Sequence, residues 1–94
     1  HAGEFETSLM LYIAPELVHK DKIKSPLDQK FDPLIGDMVN PPSISYFQTI
    51  KMMSANGVVG NPSFSSMEKG KKISHIITAK LLDILKNLKS IDKL

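Results

Sequence analysis

Cysteine, tryptophan and arginine are all absent from the 94 residues. Without cysteine there is neither a disulfide to staple a small core nor a thiolate site for zinc. Without arginine the chain lacks the planar fork that grips phosphates and reads base edges, so nucleic acid is not expected as a partner. Twelve lysines against ten acidic residues leave a net charge of only +2. The lysines are scattered; Lys69, Lys71 and Lys72 form the one compact group, which a solvated helix start explains as well as an anion site does. No apolar run approaches the roughly 18 residues that span a bilayer, so a membrane is not expected either. No secretory signal is visible, and a cytoplasmic protein is the expectation.

Large apolar mass is also scarce. Hydrophobic residues make up 41%, a little under the usual globular share of about 45–50%. A chain this short holds one small domain with a modest core. It opens on His1, directly into a dense polar cluster, and this suggests a piece of a longer domain.

Three zones follow. From Thr7 to Val18 the residues Leu9, Tyr12 and Ile13, with Phe5 before them, recur at helical spacing. Thr7 and Ser8 are candidate N-caps, and Pro15 should end or kink the helix near Ala14. So short and apolar a helix should be buried on more than one side. From His19 to Pro62 the chain is broken by Pro26, Pro33, Pro41 and Pro42, with Asp32 and Asp37 as turn residues. A short strand is plausible over Ile44–Ile50. Ser65 with Glu68 three residues on then reads as a capping box. Ile73, Ile76, Ile77, Leu81, Ile84, Leu85, Leu88 and Ile91 repeat at steps of three and four, predicting an amphipathic helix of roughly 22 residues, about 33 Å long.

Chemistry concentrates in His1-Ala2-Gly3-Glu4-Phe5-Glu6-Thr7-Ser8. One imidazole and two carboxylates lie at the mouth of a helix, whose unpaired amides favour ionised carboxylates. Imidazole with carboxylate suits zinc, manganese or iron. The spacing alone also fits an acidic helix start beside a surface histidine. A His1 amine and ring holding copper is a further alternative, with His19 or His75 as the second imidazole. His75 reads otherwise as a packed or surface histidine, and His19 as a partner of the first helix's C-terminal dipole. Tyr46 and Phe47 are expected to fill core space or to stack on a flat heterocycle.

His-Ala-Gly-x-x-Glu-Thr-Ser, followed by an apolar helix and Pro15-Glu16-Leu17-Val18, resembles the second metal-binding segment of the creatininase family. Gly57-Val58-Val59-Gly60-Asn61-Pro62, then Glu68-Lys69-Gly70, resembles that family's stretch leading into its last helix. The two blocks stand in the family's order and together cover His1 to about Leu85.

The resemblance implies an α/β three-layer sandwich with a central, mostly parallel sheet, of which residues 1–94 form the C-terminal part. It implies hydrolysis of a C–N amide bond in a small cyclic or formyl amide, with creatinine as the namesake substrate. A deformylase of a formylamino-pyrimidine ribonucleotide and a peptidase of the mycofactocin precursor are relatives with other substrates. It implies divalent ions (zinc, manganese or iron), with His1, Glu6 and Glu4 as metal ligands. Gly57, Gly60 and Asn61 are implied to line the substrate, although the turn they form has a purely conformational explanation too. A homo-oligomer, often a hexamer, is implied as well. The family's remaining ligands, a Glu-x-His segment and an aspartate, lie in its N-terminal half and have no counterpart in these residues. The sequence also departs from the family pattern, with Asn61 where aspartate is usual and Ser65-Ser66 where Ala-Thr is common. A non-catalytic structural or oligomerisation piece is the competing class.

Overall fold

The computed structural model describes residues 1–23 and 40–91. Every regular element among them is helical. Helix α1 spans Glu4–Ile13 and is followed by two 3-10 turns, Pro15–Leu17 and Lys20–Lys22. A one-turn helix, α2, spans Ile50–Met53; a third 3-10 turn, Pro62–Phe64, leads into α3, Met67–Ile91.

The expected sheet is therefore corrected: no strand forms among the described residues, and they do not make an α/β sandwich. The reason is visible at Ile44–Ile50. A strand is a paired object, stabilised by its ladder and its cross-strand neighbours. Residues 45–49 adopt no regular structure, and Phe47 is 87% exposed. The segment then ends in a helical turn, because Thr49 accepts a hydrogen bond from the Met52 amide on its side-chain oxygen (3.3 Å) and caps α2. The core-filling role expected of Tyr46 and Phe47 fails with it, since both are exposed. Asp32 and Asp37 lie outside the described residues.

Helix α1 starts three residues earlier than Thr7. Gly3 takes the cap position in extended backbone without a side-chain bond. Glu4 and Glu6 fill the first turn, where carboxylates meet unpaired amides. Thr7 and Ser8 thus lie inside the helix. Pro15 acts as expected, with Ala14 as C-cap and a 3-10 turn beyond it.

Helix α3 begins one residue later than the Ser65 cap predicts. Ser66 accepts from the Lys69 amide (3.2 Å), so Ser66 is the cap and Glu68 is not its reciprocal partner. Ser65 is engaged elsewhere, donating its hydroxyl to the Glu4 carbonyl (3.2 Å).

The core sits where α1 crosses the start of α3. Ser8 is 0% exposed and Leu11 7%, with Gly3, Pro62 and Gly70 also buried. A Cβ on Gly70 would stand 1.9 Å from the Ser8 carbonyl oxygen and 2.9 Å from the Tyr12 Cβ, so only glycine permits this approach. Tyr12 meets His75 edge to face, with ring centroids 6.3 Å apart. His75 is nonetheless exposed, a surface histidine with one ring contact.

Burial stops there. Ile13, Leu81, Leu85, Leu88 and Ile91 are all exposed, so α1 is covered on one side, not on several. Among the described residues, no helix is long and apolar enough to cross a membrane.

Candidate metal-ligand segment

The site is built from two stretches far apart in sequence. The first is the entry to α1. Ala2 carries a φ of +50°, a left-handed conformation that costs a non-glycine residue about 1–2 kcal/mol. It is held there from both sides: its amide donates to the Glu6 carboxylate, and its carbonyl accepts from the Thr7 hydroxyl (3.3 Å). The Thr7 amide donates to the Gly3 carbonyl (3.0 Å) and closes the first helical turn.

The second stretch is Gly57–Asn61. His1 and Val59 exchange both backbone hydrogen bonds, each 2.7 Å, from the His1 nitrogen to the Val59 carbonyl and from the Val59 amide to the His1 carbonyl. This is the hydrogen-bonded pair of an antiparallel ladder. Gly3 and Gly60 then pack backbone against backbone. A Cβ on Gly3 would meet the Val59 carbonyl at 3.1 Å and the Gly60 Cα at 3.3 Å; one on Gly60 would meet the Gly3 Cα at 3.3 Å. Gly57 and Gly60 hold φ values of +84° and +117°, which glycine adopts without strain.

Asn56 and Asn61 bracket the turn. Asn56 accepts on Oδ1 from the Val58 amide (3.1 Å) and the Ser54 hydroxyl (2.8 Å). Asn61 accepts on Oδ1 from the Ser63 amide (3.0 Å) and the Ser63 hydroxyl (2.6 Å), so it starts the turn Pro62–Phe64 as a local cap.

A third contact joins the entry of α1 to the entry of α3. The Lys69 ammonium pairs with the Glu4 carboxylate and also donates to the Phe64 carbonyl (2.7 Å). Ser8, fully buried, accepts on Oγ from the Ser66 amide (3.2 Å).

The structure thus brings His1 against Val59 and Gly3 against Gly60, while Glu4 turns to Lys69 and Glu6 to the Ala2 amide. His19 stands apart, exposed, before the turn Lys20–Lys22. The donor chemistry suits a divalent ion in kind, but a resident ion takes three or more protein ligands. No group of three His, Cys, Asp or Glu residues able to hold one forms among the described residues. The described residues alone do not fit a complete metal centre.

Sequence reasoning missed Ser8, Ser65 and Lys69 as the groups that lock the two helix starts together. One signal was available: a serine at the edge of the apolar run Leu9–Ile13 is a poor choice for a buried helical position unless its hydroxyl is used.

Comparison with known proteins gives one result. A family model described as creatininase, creatinine amidohydrolase, matches residues 1–85. No curated protein and no solved structure matches the chain.

Proposed function

The chain belongs to the creatininase family, and on that premise we propose that it carries part of the active site of a metal-dependent amidohydrolase. The reaction is hydrolysis of a C–N amide bond in a small cyclic or formyl amide. One observation carries the reading: the family match runs through both motif blocks, and these blocks touch at His1–Val59 and Gly3–Gly60.

His1 and Glu6 are the metal donors of this reading, with Glu4 as a third and the remaining ligands supplied from outside residues 1–94. The chemistry that zinc, manganese or iron held by these donors would supply is Lewis-acid activation of the amide and of water. The chain's own part is to present the donors in fixed order. The Ala2 amide orients the Glu6 carboxylate, as hydrogen-bonded partners orient ligands in metal sites generally. Lys69 supplies a positive counter-charge at Glu4.

Creatinine and a formylamino-pyrimidine are the two substrate types to compare. Full-length protein is assayed on creatinine and on a formylamino heterocycle, before and after chelation and with zinc, manganese or iron restored. Metal-dependent hydrolysis of either one supports the proposal and selects the substrate type. Bound metal without hydrolysis of either removes the amide class.

A second reading is a non-catalytic structural or oligomerisation piece. It draws on the lack of a three-donor group among the described residues and on the exposed apolar side of α3. Absence of both metal and hydrolysis, with an intact homo-oligomer by mass, favours it.

A further inference from the structure

The chain holds four asparagines, Asn40, Asn56, Asn61 and Asn87. An asparagine is open to attack on its side-chain carbonyl carbon by the backbone nitrogen of the next residue. The sequence shields three of the four. Asn40 and Asn61 precede Pro41 and Pro62, whose nitrogens carry no hydrogen to give up. Asn87 lies inside α3, where the next amide is held in the helical ladder and belongs to the bulky Leu88. Asn56 alone is followed by glycine.

The structure leaves this pair ready to react. Asn56 is exposed. Among the described residues, neither its side-chain NH2 nor the Gly57 amide has a hydrogen-bond partner. A Cβ at Gly57 would meet nothing within 4 Å, so the space around the nucleophile is open. The Asn56 Oδ1 accepts from the Val58 amide (3.1 Å) and from the Ser54 hydroxyl (2.8 Å). Two donors on one carbonyl oxygen make its carbon more electrophilic and stabilise the oxyanion that forms on attack.

We propose that Asn56–Gly57 is a site of spontaneous deamidation whose isoaspartyl product loosens the pairing of Val59 with His1. The Gly57 nitrogen bonds to the Asn56 side-chain carbon, and the C–NH2 bond breaks. The NH2 group leaves as ammonia with the proton from the Gly57 amide. Water then opens the succinimide ring at either carbonyl, giving aspartate or isoaspartate. In isoaspartate the main chain runs through the former side-chain carbon and is one atom longer. That extra length enters just ahead of Val59, which exchanges both backbone hydrogen bonds with His1. The chemistry needs no metal ion and stands independently of the proposed activity.

Full-length protein is held in warm, mildly alkaline buffer, folded and in urea, and samples are cut with trypsin over time. Mass spectrometry follows the peptide Met52–Lys69, which contains both Asn56 and Asn61. The expected result is the mass gain of NH2 replaced by OH at Asn56 in the folded protein, growing with time and with pH. Part of the product should be isoaspartate by isoaspartyl methyltransferase labelling, and Asn61 and Asn87 should stay unchanged. The Val59 amide should exchange hydrogen faster in the deamidated fraction than in fresh protein. Asn56→Asp adds the charge at unchanged main-chain length and should keep Val59 protected. In the folded protein, gain at Asn61 or Asn87 as fast as at Asn56 overturns the site assignment, and so does gain at Asn56 in urea alone. Val59 exchange that is equal in fresh and deamidated protein overturns the loosening. Equal loss of protection in Asn56→Asp overturns it in favour of charge.

Discussion

The Ser8 carbonyl oxygen occupies the space that a side chain on Gly70 would need: a Cβ built there lies 1.9 Å away. This contact sets how closely the two long helices approach, and through them how the entry of α1 meets the entry of α3. Alanine normally stabilises a helix interior by about 1 kcal/mol over glycine. At Gly70 the sign reverses, because backbone atoms of α1 cannot give way as a flexible side chain would. Gly70→Ala is expected to destabilise the full-length protein by about 3 kcal/mol, at the upper end of the cost of overpacking. Chemical denaturation reads this directly, and a stabilised Gly70→Ala variant would refute the helix crossing.

Ser8 gives a second test of the same junction. Its hydroxyl is fully buried and satisfies the Ser66 amide at the start of α3. Ser8→Ala leaves that amide without its partner, at a cost of about 1–2 kcal/mol. Ser8→Cys keeps a weak acceptor of similar size and should lose less. Equal loss in the two variants, by thermal or urea unfolding, would show that volume and not the hydrogen bond matters at this position.

The Glu4–Lys69 pair should matter much less for stability. Its side chains are 44% and 49% exposed, and exposed ion pairs contribute about 0–1 kcal/mol. A double-mutant cycle with Glu4→Gln and Lys69→Met is expected to give a coupling below about 1 kcal/mol that shrinks as salt is added. A coupling of several kcal/mol, insensitive to salt, would mark the pair as structural.

Parts of this architecture were legible in the residue order, and the losses have specific causes. The long helix could be read because Ile73 to Ile91 keeps its period over many turns. Its start was misplaced by one residue, since Ser65 is drawn off to the Glu4 carbonyl and Ser66 takes its place. The first helix was placed too late because Glu6 organises the turn ahead of Thr7 by accepting the Ala2 amide, a backward contact that a search for Ser or Thr caps does not find. The strand expected at Ile44–Ile50 failed for a different reason: β-branched and aromatic residues favour a strand only beside a neighbouring strand, and no strand forms among the described residues. At the candidate site, the chemical identity of His1, Glu4 and Glu6 was readable from the motif. Their separate destinations were not, because the Lys69 ammonium and the Val59 backbone reach them across more than fifty residues of sequence.

The central claim, that the entry to α1 supplies metal donors, is tested most directly by metal content. Zinc, manganese and iron bound to the full-length wild type and to its His1→Ala and Glu6→Ala variants are measured by inductively coupled plasma mass spectrometry. The account predicts about one to two equivalents of divalent ion per chain in the wild type, as in two-metal hydrolases. It predicts a clear loss in each variant, with the fold retained by circular dichroism. Wild-type metal content in both variants would contradict it.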